Sequence, residues 1–336
     1  MSPSQPAAVV KIDEIPEDTK LQRAKDRLRA ACGPLILAAI EDPATVEVMV
    51  NPDGTVWQEK LGSHSPHQIS KISPAFAMGI ITIVAGCLGT VANAENPIVE
   101  GEWPLDGSRF AGLCPPVVPA ASFALRKKAS SIFTLDQYVE KGIMTPEQRA
   151  KLAEAVATMK NILIVGGTGS GKTTLINGLI REMTDMNPHQ RIITIEDTAE
   201  LQCAAPDKVQ MRTNRSCTMS DLVKATLRQR PDRIIVGEVR DHAANDLLGA
   251  WNTGHGGGCA TIHANNAMAG LAKLNMLVSM HPNAPQEINK FIAEAVQVVV
   301  HIARHEDGRK IRNIVEVKGY YADKDTGEGT FRVISL

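Results

Sequence analysis

The sequence has almost no net charge: 36 Lys and Arg stand against 37 Asp and Glu, which leaves −1 at pH 7 over 336 residues. A chain without a global positive field lacks the electrostatic footprint of a nucleic-acid binder. The short run Arg126-Lys127-Lys128 reads as a solvated turn or a phosphate contact, and no direct nucleic-acid partner is expected. Paired cysteines are missing too. Cys32, Cys87, Cys114, Cys203, Cys217 and Cys259 are scattered with no C-x-x-C among them, which disfavours a zinc module and fits reduced thiols in the cytosol. The first 30 residues hold no apolar run of the secretory kind, so a cytoplasmic location is expected. Long apolar runs are nearly absent. Only Ile72 to Ala94 is uncharged and long enough to cross a bilayer, and it is interrupted by Pro74, Gly79, Gly86 and Gly89. Its large residues Phe76, Ile80, Ile83, Val84, Cys87, Leu88 and Val91 recur at helical spacing, which predicts a closely packed core helix rather than a span.

What is present is a chain long enough for two domains. Residues 1–20 are Pro-rich and polar and read as a flexible tail. Residues 21–128 read as an α+β unit. Leu21 to Ile40 is a charged helix, and "VEVMVNPDGTVW" is a hairpin turning at Asn51-Pro52-Asp53-Gly54. A helix near 75–92 and short proline-punctuated strands follow, up to Lys128. Residues 129–144 read as a linker with a connecting helix. Over 145–336, strands and helices alternate, beginning with a helix capped by Thr145, Pro146 and Gln148. Short apolar strands between helices predict an α/β unit, a parallel sheet covered on both faces. "KIRNIVEVKGYY" is expected to add strands at an edge.

Gly166-Gly167-Thr168-Gly169-Ser170-Gly171-Lys172-Thr173 fits G-x-x-x-x-G-K-[ST] in full, between a predicted strand and a predicted helix. Glycines let successive N–H groups point inward at phosphate oxygens, and the following helix adds the positive end of its dipole. Gly167, Thr168, Gly169, Ser170, Gly171, Lys172, Thr173 and Thr174 are the candidate phosphate contacts. Lys172 is expected to reach the β- and γ-phosphates, and the Thr173 hydroxyl to ligate Mg²⁺. The expected ligand is a nucleoside triphosphate.

Hydrolysis needs a carboxylate that orients water against the γ-phosphate. "RIIVGEVRD" is a strand ending in Glu238, placed where strand ends face a ligand crevice. The position before it, often an Asp in such strands, is Gly237, so the metal needs acids from elsewhere. "TIEDTAEL" offers Glu196, Asp197 and Glu200; Glu196 and Asp197 are the candidate metal acids, and Glu196 a candidate catalytic one. In "TGHGGGCATIHANN", His263 ends a strand and is a candidate γ-phosphate sensor. His255 precedes Gly256-Gly257-Gly258, a segment free to move with nucleotide state, and is a candidate nucleotide contact. Arg230 and Arg240 flank the Glu238 strand as weaker sensor candidates.

"GGTGSGKTT", "TIEDTAEL", "LRQRPDRIIVGEVRD" and "NTGHGGGCATIHANNA" stand in the order of the Walker A, Asp box, Walker B and His box motifs. That set resembles the secretion and type IV pilus ATPase superfamily, in its conjugation and type IV secretion branch, where Gly before the Walker B Glu is usual. The resemblance implies a RecA-like P-loop motor domain with a smaller α+β N-terminal domain, a homohexameric ring, and Mg²⁺-dependent ATP hydrolysis. It also implies that ATP lies between the domains, with Arg109 and Arg126 of "LDGSRFAGLCPP" and "SFALRKK" reaching its phosphates. Implied partners are inner-membrane components of a secretion or conjugation apparatus, met peripherally at the cytoplasmic face. A pilus-retraction motor of the same superfamily and a nucleotide-gated scaffold that does not turn over are the alternatives. Asp241-His242 departs from the Gly-Glu pair of many relatives, so no role passes to His242. The four-cysteine insertion of some type II relatives is absent, as is the N-K-x-D signature of guanine readers.

Overall fold

Val46, Val48 and Val50 alternate as β1 (Thr45–Val50), and the chain turns through Asn51–Gly54 into β2 (Thr55–Lys60), its antiparallel partner. Gly54 is required there: its φ is 84°, and a Cβ would lie 2.1 Å from the Ile72 carbonyl oxygen. The structure is a computed structural model that describes residues 17–61, 63, 65–128, 132–214, 216–322 and 329–336. Two compact units divide after Lys128.

In the first unit, α1 (Glu17–Glu41) is broken at Gly33, whose φ of 64° and ψ of 168° are not helical, with Pro34 opening the second segment. The tail expected over residues 1–20 lies outside the described residues up to residue 16, and residues 17–20 belong to α1. After β3 (His67–Lys71) and α2 (Pro74–Cys87) come β4 (Ile98–Glu102), β5 (Arg109–Leu113) and β6 (Ser122–Arg126). They form an antiparallel sheet in the order β3-β2-β1-β6-β5-β4. Helix α2 starts as proline chemistry dictates, with Ser73 as N-cap and Pro74 in the first turn. Its buried face is Ala77, Ile80, Ile81, Val84 and Ala85, while Phe76 and Val91, both expected in the core, are 38% and 59% exposed. Ile80 and Val84 are buried as expected, and Ile83 and Leu88 pack partly buried against the same core. Ala77, Ile81 and Ala85 complete a face that side-chain size alone does not locate. Among the described residues no helix is long and apolar enough to cross a membrane.

The second unit opens with α3 (Leu135–Glu140) and α4 (Pro146–Ala157), each started by a full capping box, Thr134 with Gln137 and Thr145 with Gln148. Leu135 and Tyr138 of α3 are buried in the core of this unit; of the expected linker, residues 129–131 lie outside the described ones. The alternation continues through β7 (Ile162–Val165), α5 (Lys172–Met186), β8 (Ile192–Glu196), β9 (Lys208–Arg212), α6 (Met219–Thr226), β10 (Arg233–Val236), α7 (Ala243–Asn252) and β11 (Cys259–Ile262). It closes with α8 (Ala267–Ser279), α9 (Ile288–Ala295), β12 (Val298–His305), β13 (Gly308–Ala322) and β14 (Gly329–Ser335). The sheet order is β14-β13-β12-β7-β11-β10-β8-β9, parallel from β12 to β9, with β13 and β14 added antiparallel at one edge.

Every residue of β7, β8, β10 and β11 is buried, as a parallel sheet covered on both faces requires. One face packs Leu152, Val156, Leu175, Leu179 and Met183 of α4 and α5. The other packs Val223, Leu247, Trp251, Leu271 and Ile292 of α6 to α9. The parallel strands place the segments after β7, β8, β10 and β11 at one end of the sheet. Residues 166–171, 196–197, 237–238 and 263 therefore meet there.

Candidate active site

β7 stops at Val165 and α5 begins at Lys172, so Gly166–Gly171 must reverse the chain within six residues. Gly169 and Gly171 hold φ of 66° and 99°, a region that admits glycine at little cost. A Cβ on Gly166 would sit 2.3 Å from the Ile302 carbonyl oxygen, whereas Gly167 borders open space. Helix α5 has neither a side-chain cap nor an acid in its first turn, which leaves its leading N–H groups to an external acceptor. Ser170 Oγ is buried with no hydrogen-bond partner among the described residues. An uncapped helix start, left-handed glycines and an orphaned buried hydroxyl make a cradle that fits a phosphate group. Thr173 and Thr174 lie half-buried in the first turn of the helix.

Lys172 is 7% exposed, and its ammonium donates to the Gly166 and Gly167 carbonyls at 2.9 Å each. It also lies 3.3 Å from His263 Nδ1, while His263 Nε2 is 2.9 Å from Glu238 Oε1. The Nε2–H tautomer satisfies both contacts, accepting from Lys172 at Nδ1 and donating to Glu238. Glu238 Oε2 in turn accepts from Arg240 Nη2 at 2.5 Å, and Arg240 Nη1 lies 3.6 Å from Asp197 Oδ2. The Thr213 hydroxyl donates to Asp197 Oδ1 at 2.8 Å. Lysine, histidine, glutamate, arginine and aspartate thus form one polar row across the ends of β7, β11, β10 and β8.

Glu196 closes β8 and is 4% exposed. Its Oε1 accepts the Glu200 and Leu201 amides at 2.9 and 2.8 Å, so it pins the loop that follows. A Cβ on Gly237 would lie 3.0 Å from Glu196 Cγ. The space that an aspartate would fill at position 237 is taken by the side chain of Glu196, which explains why that strand carries glycine. Burial pushes the Glu196 carboxyl up to about 7 against the pull of the two amides. A carboxyl raised on folding binds its proton more tightly in the native state, so its contribution is most favourable below about pH 4.5 and declines as pH rises to about 7. The span corresponds to about 3 kcal/mol. The expected result is that nucleotide-free protein loses stability between pH 5 and pH 8 relative to Glu196→Gln, read by denaturant unfolding of both. Parallel pH profiles would show that Glu196 stays ionised.

Other candidates fall elsewhere. Topology puts His255 before β11, at the end of the sheet away from the loop; His263, after the strand, is at the loop's end. The glycines beside His255 are packing devices: Cβ atoms on Gly257 and Gly258 would lie 2.8 Å from Arg233 Nη1 and 2.3 Å from the Ile234 carbonyl. His255 is therefore corrected from a contact of this loop's ligand to a residue at the opposite end of the same strand. Arg230 likewise precedes β10. In the first unit Arg126 pairs directly with Arg109 across β6 and β5, with Glu47 and Glu102 next on either side. Two further residues belong to no motif: Arg304 and Arg309 donate through Nε to the Gly169 carbonyl at 3.2 and 3.3 Å. Only the strand pairing of β12 with β7 and β13 brings them to the loop.

Residues 108–328 match the family described as Type II/IV secretion system protein. The probable conjugal transfer protein TrbB of Sinorhizobium fredii (strain NBRC 101917 / NGR234) is 45% identical over 294 residues, covering 88% of this chain and 90% of the relative. Protein VirB11 of Agrobacterium fabrum (strain C58 / ATCC 33970) is 30% identical over 312 residues, covering 81% and 88%. The fold matches the X-ray structure of the Legionella pneumophila ATPase DotB with a TM-score of 0.61 at 17% identity, covering 94% of this chain and 82% of that one. The phosphate cradle, its lysine and the acid and histidine row lie inside the matched span, and the chain belongs to the Type II/IV secretion system protein family.

Proposed function

We propose that the chain is a Mg²⁺-dependent ATPase that works as a homohexameric ring. It would power assembly or substrate transfer by a type IV secretion or conjugation machine, at the cytoplasmic face of the inner membrane and against that machine's membrane components. The observation that carries this reading is the row Lys172–His263–Glu238, in which a phosphate-seeking ammonium and a carboxylate base share one imidazole. A bound triphosphate takes over the ammonium from the Gly166 and Gly167 carbonyls, which lets Nδ1 of His263 take up a proton and, with Nε2–H still held by Glu238, donate to the γ-phosphate. Glu238, held by Arg240 and His263, orients the attacking water and accepts its proton. Thr173 would hold Mg²⁺, with Glu196 and Asp197 behind it; the ion supplies charge neutralisation of the transferred phosphoryl group. Arg109 and Arg126, two guanidiniums side by side on one sheet, are suited to add positive charge at the phosphates, a contribution of about 10³–10⁵ in rate when made in trans. Conjugal transfer and type IV secretion are named for the relatives and support the setting.

The deciding experiment is ATP turnover per subunit against protein concentration, with Glu238→Gln as background. Specific activity that climbs steeply with concentration supports a site completed by ring assembly. A flat rate sensitive to the mutation keeps the ATPase and removes assembly-dependent completion. No turnover above background at any concentration overturns the hydrolase.

A further inference from the structure

β12 and β13 form a hairpin whose turn carries Arg304 and Arg309 in direct cross-strand register. Like charges directly opposite destabilise a hairpin. Here both guanidiniums converge on one acceptor of the phosphate loop, the Gly169 carbonyl. The loop is shaped to receive them. A Cβ on Gly169 would lie 2.9 Å from Arg304 Nη2, and one on Gly171 would lie 2.9 Å from Arg309 Cδ. The glycines of this motif thus do two jobs, turning the chain and admitting two arginines against its backbone. In the sheet, β7 lies between β11 and β12. The Lys172–His263–Glu238 row reaches the loop from the β11 side and the arginine pair reaches it from the β12 side.

We infer that Arg304 and Arg309 form a second cationic clamp on the bound nucleotide, directed at the α- and β-phosphates; this rests on the nucleotide reading above. The loop backbone cradles the α- and β-phosphates, while the lysine side reaches outward to the γ-phosphate. Arginines seated on that backbone therefore meet the two phosphates that ADP and ATP share. Guanidinium is the group suited to this task, since its planar fork matches phosphate oxygens and it stays charged. Position and charge together make these arginines binding residues that do not distinguish diphosphate from triphosphate.

The test is calorimetric affinity of the full chain for ADP and for a non-hydrolysable ATP analogue, with melting temperatures recorded without nucleotide. Gln keeps an N–H for the Gly169 carbonyl but has no charge; Lys keeps both. The double variant Arg304→Gln/Arg309→Gln is expected to weaken ADP and analogue by a common factor of about ten to a hundred, and its nucleotide-free melting temperature shows whether the fold is kept. The double Lys variant, which keeps the charge but not the planar fork, is expected to bind both nucleotides more weakly than wild type and more tightly than the double Gln variant. Should the double Gln variant melt early, each single Gln variant is read instead, at an intermediate loss. Equal weakening by Gln and Lys would reduce the pair to props of the loop and overturn the clamp, as would wild-type affinity in the Gln variant. A wild-type chain that binds neither nucleotide would instead sink the underlying nucleotide reading.

Discussion

Replacing Lys172 with alanine is expected to abolish measurable nucleotide binding while leaving the fold in place. The ammonium donates to two loop carbonyls and approaches His263 in a site where the residue is 7% exposed. Hydrogen bonds to a charged group contribute about 1.5–3 kcal/mol each, more when water is excluded. Removing two such bonds to phosphate at once corresponds to at least about a hundredfold in affinity. The fold is spared because α5 is anchored below the loop by Leu175, Ile176, Leu179 and Ile180, all fully buried. The measurement is the rise in melting temperature with added ADP. Bound ligand stabilises as RT ln(1 + [L]/Kd), so wild type should climb with concentration and the variant should stay flat. A variant that climbs alongside wild type would remove the loop from nucleotide binding altogether.

Much of this site is legible in the order of residues alone, and the parts that are not share a physical cause. The loop, Glu238 and His263 are readable because each sits at a strand end in a parallel sheet, where local pattern and topology agree. Thr134 and Thr145 cap their helices with a glutamine three residues on, a bond made within one turn and so written in adjacent letters. Arg304 and Arg309 lie about 135 to 140 residues from their Gly169 acceptor, and no local spacing encodes that approach. His255 misleads because it shares a conspicuous stretch with His263. Four strand residues separate the glycines from His263, enough at about 3.3 Å each to put them at opposite ends of the sheet. The glycine at 237 is visible as a departure, but its cause, the side chain of Glu196 from β8, needs the pairing of β10 with β8. The buried face of α2 is legible in part: Ile80 and Val84 are buried as their spacing predicts, but the face also takes in Ala77, Ile81 and Ala85 and leaves Phe76 outside, a choice made by the neighbouring elements rather than by side-chain size.

Replacing Glu238 with glutamine is expected to separate binding from turnover, and this is the sharper test of what the row is for. The side chain is 19% exposed and touches His263 and Arg240, and its carboxylate accepts from a different donor at each oxygen. Glutamine preserves the shape but can accept at only one end. Its amide must face either the histidine N–H or the guanidinium, donor against donor, so Arg240 or His263 is displaced as well. None of these groups lies in the loop that holds the phosphates, so affinity for ATP should stay within a few-fold of wild type. Turnover should fall by about 10²–10⁴, the range supplied by a positioned general base. Rapid mixing of a single equivalent of ATP reads both quantities at once, through the amplitude of nucleotide bound and the rate of phosphate release. Full amplitude with slow release places the proton transfer at Glu238 and yields a protein held in its ATP-bound state. Release within about threefold of wild type would move the base elsewhere in the row, and Asp197, joined to Glu238 through Arg240, is the carboxylate that such a result would nominate.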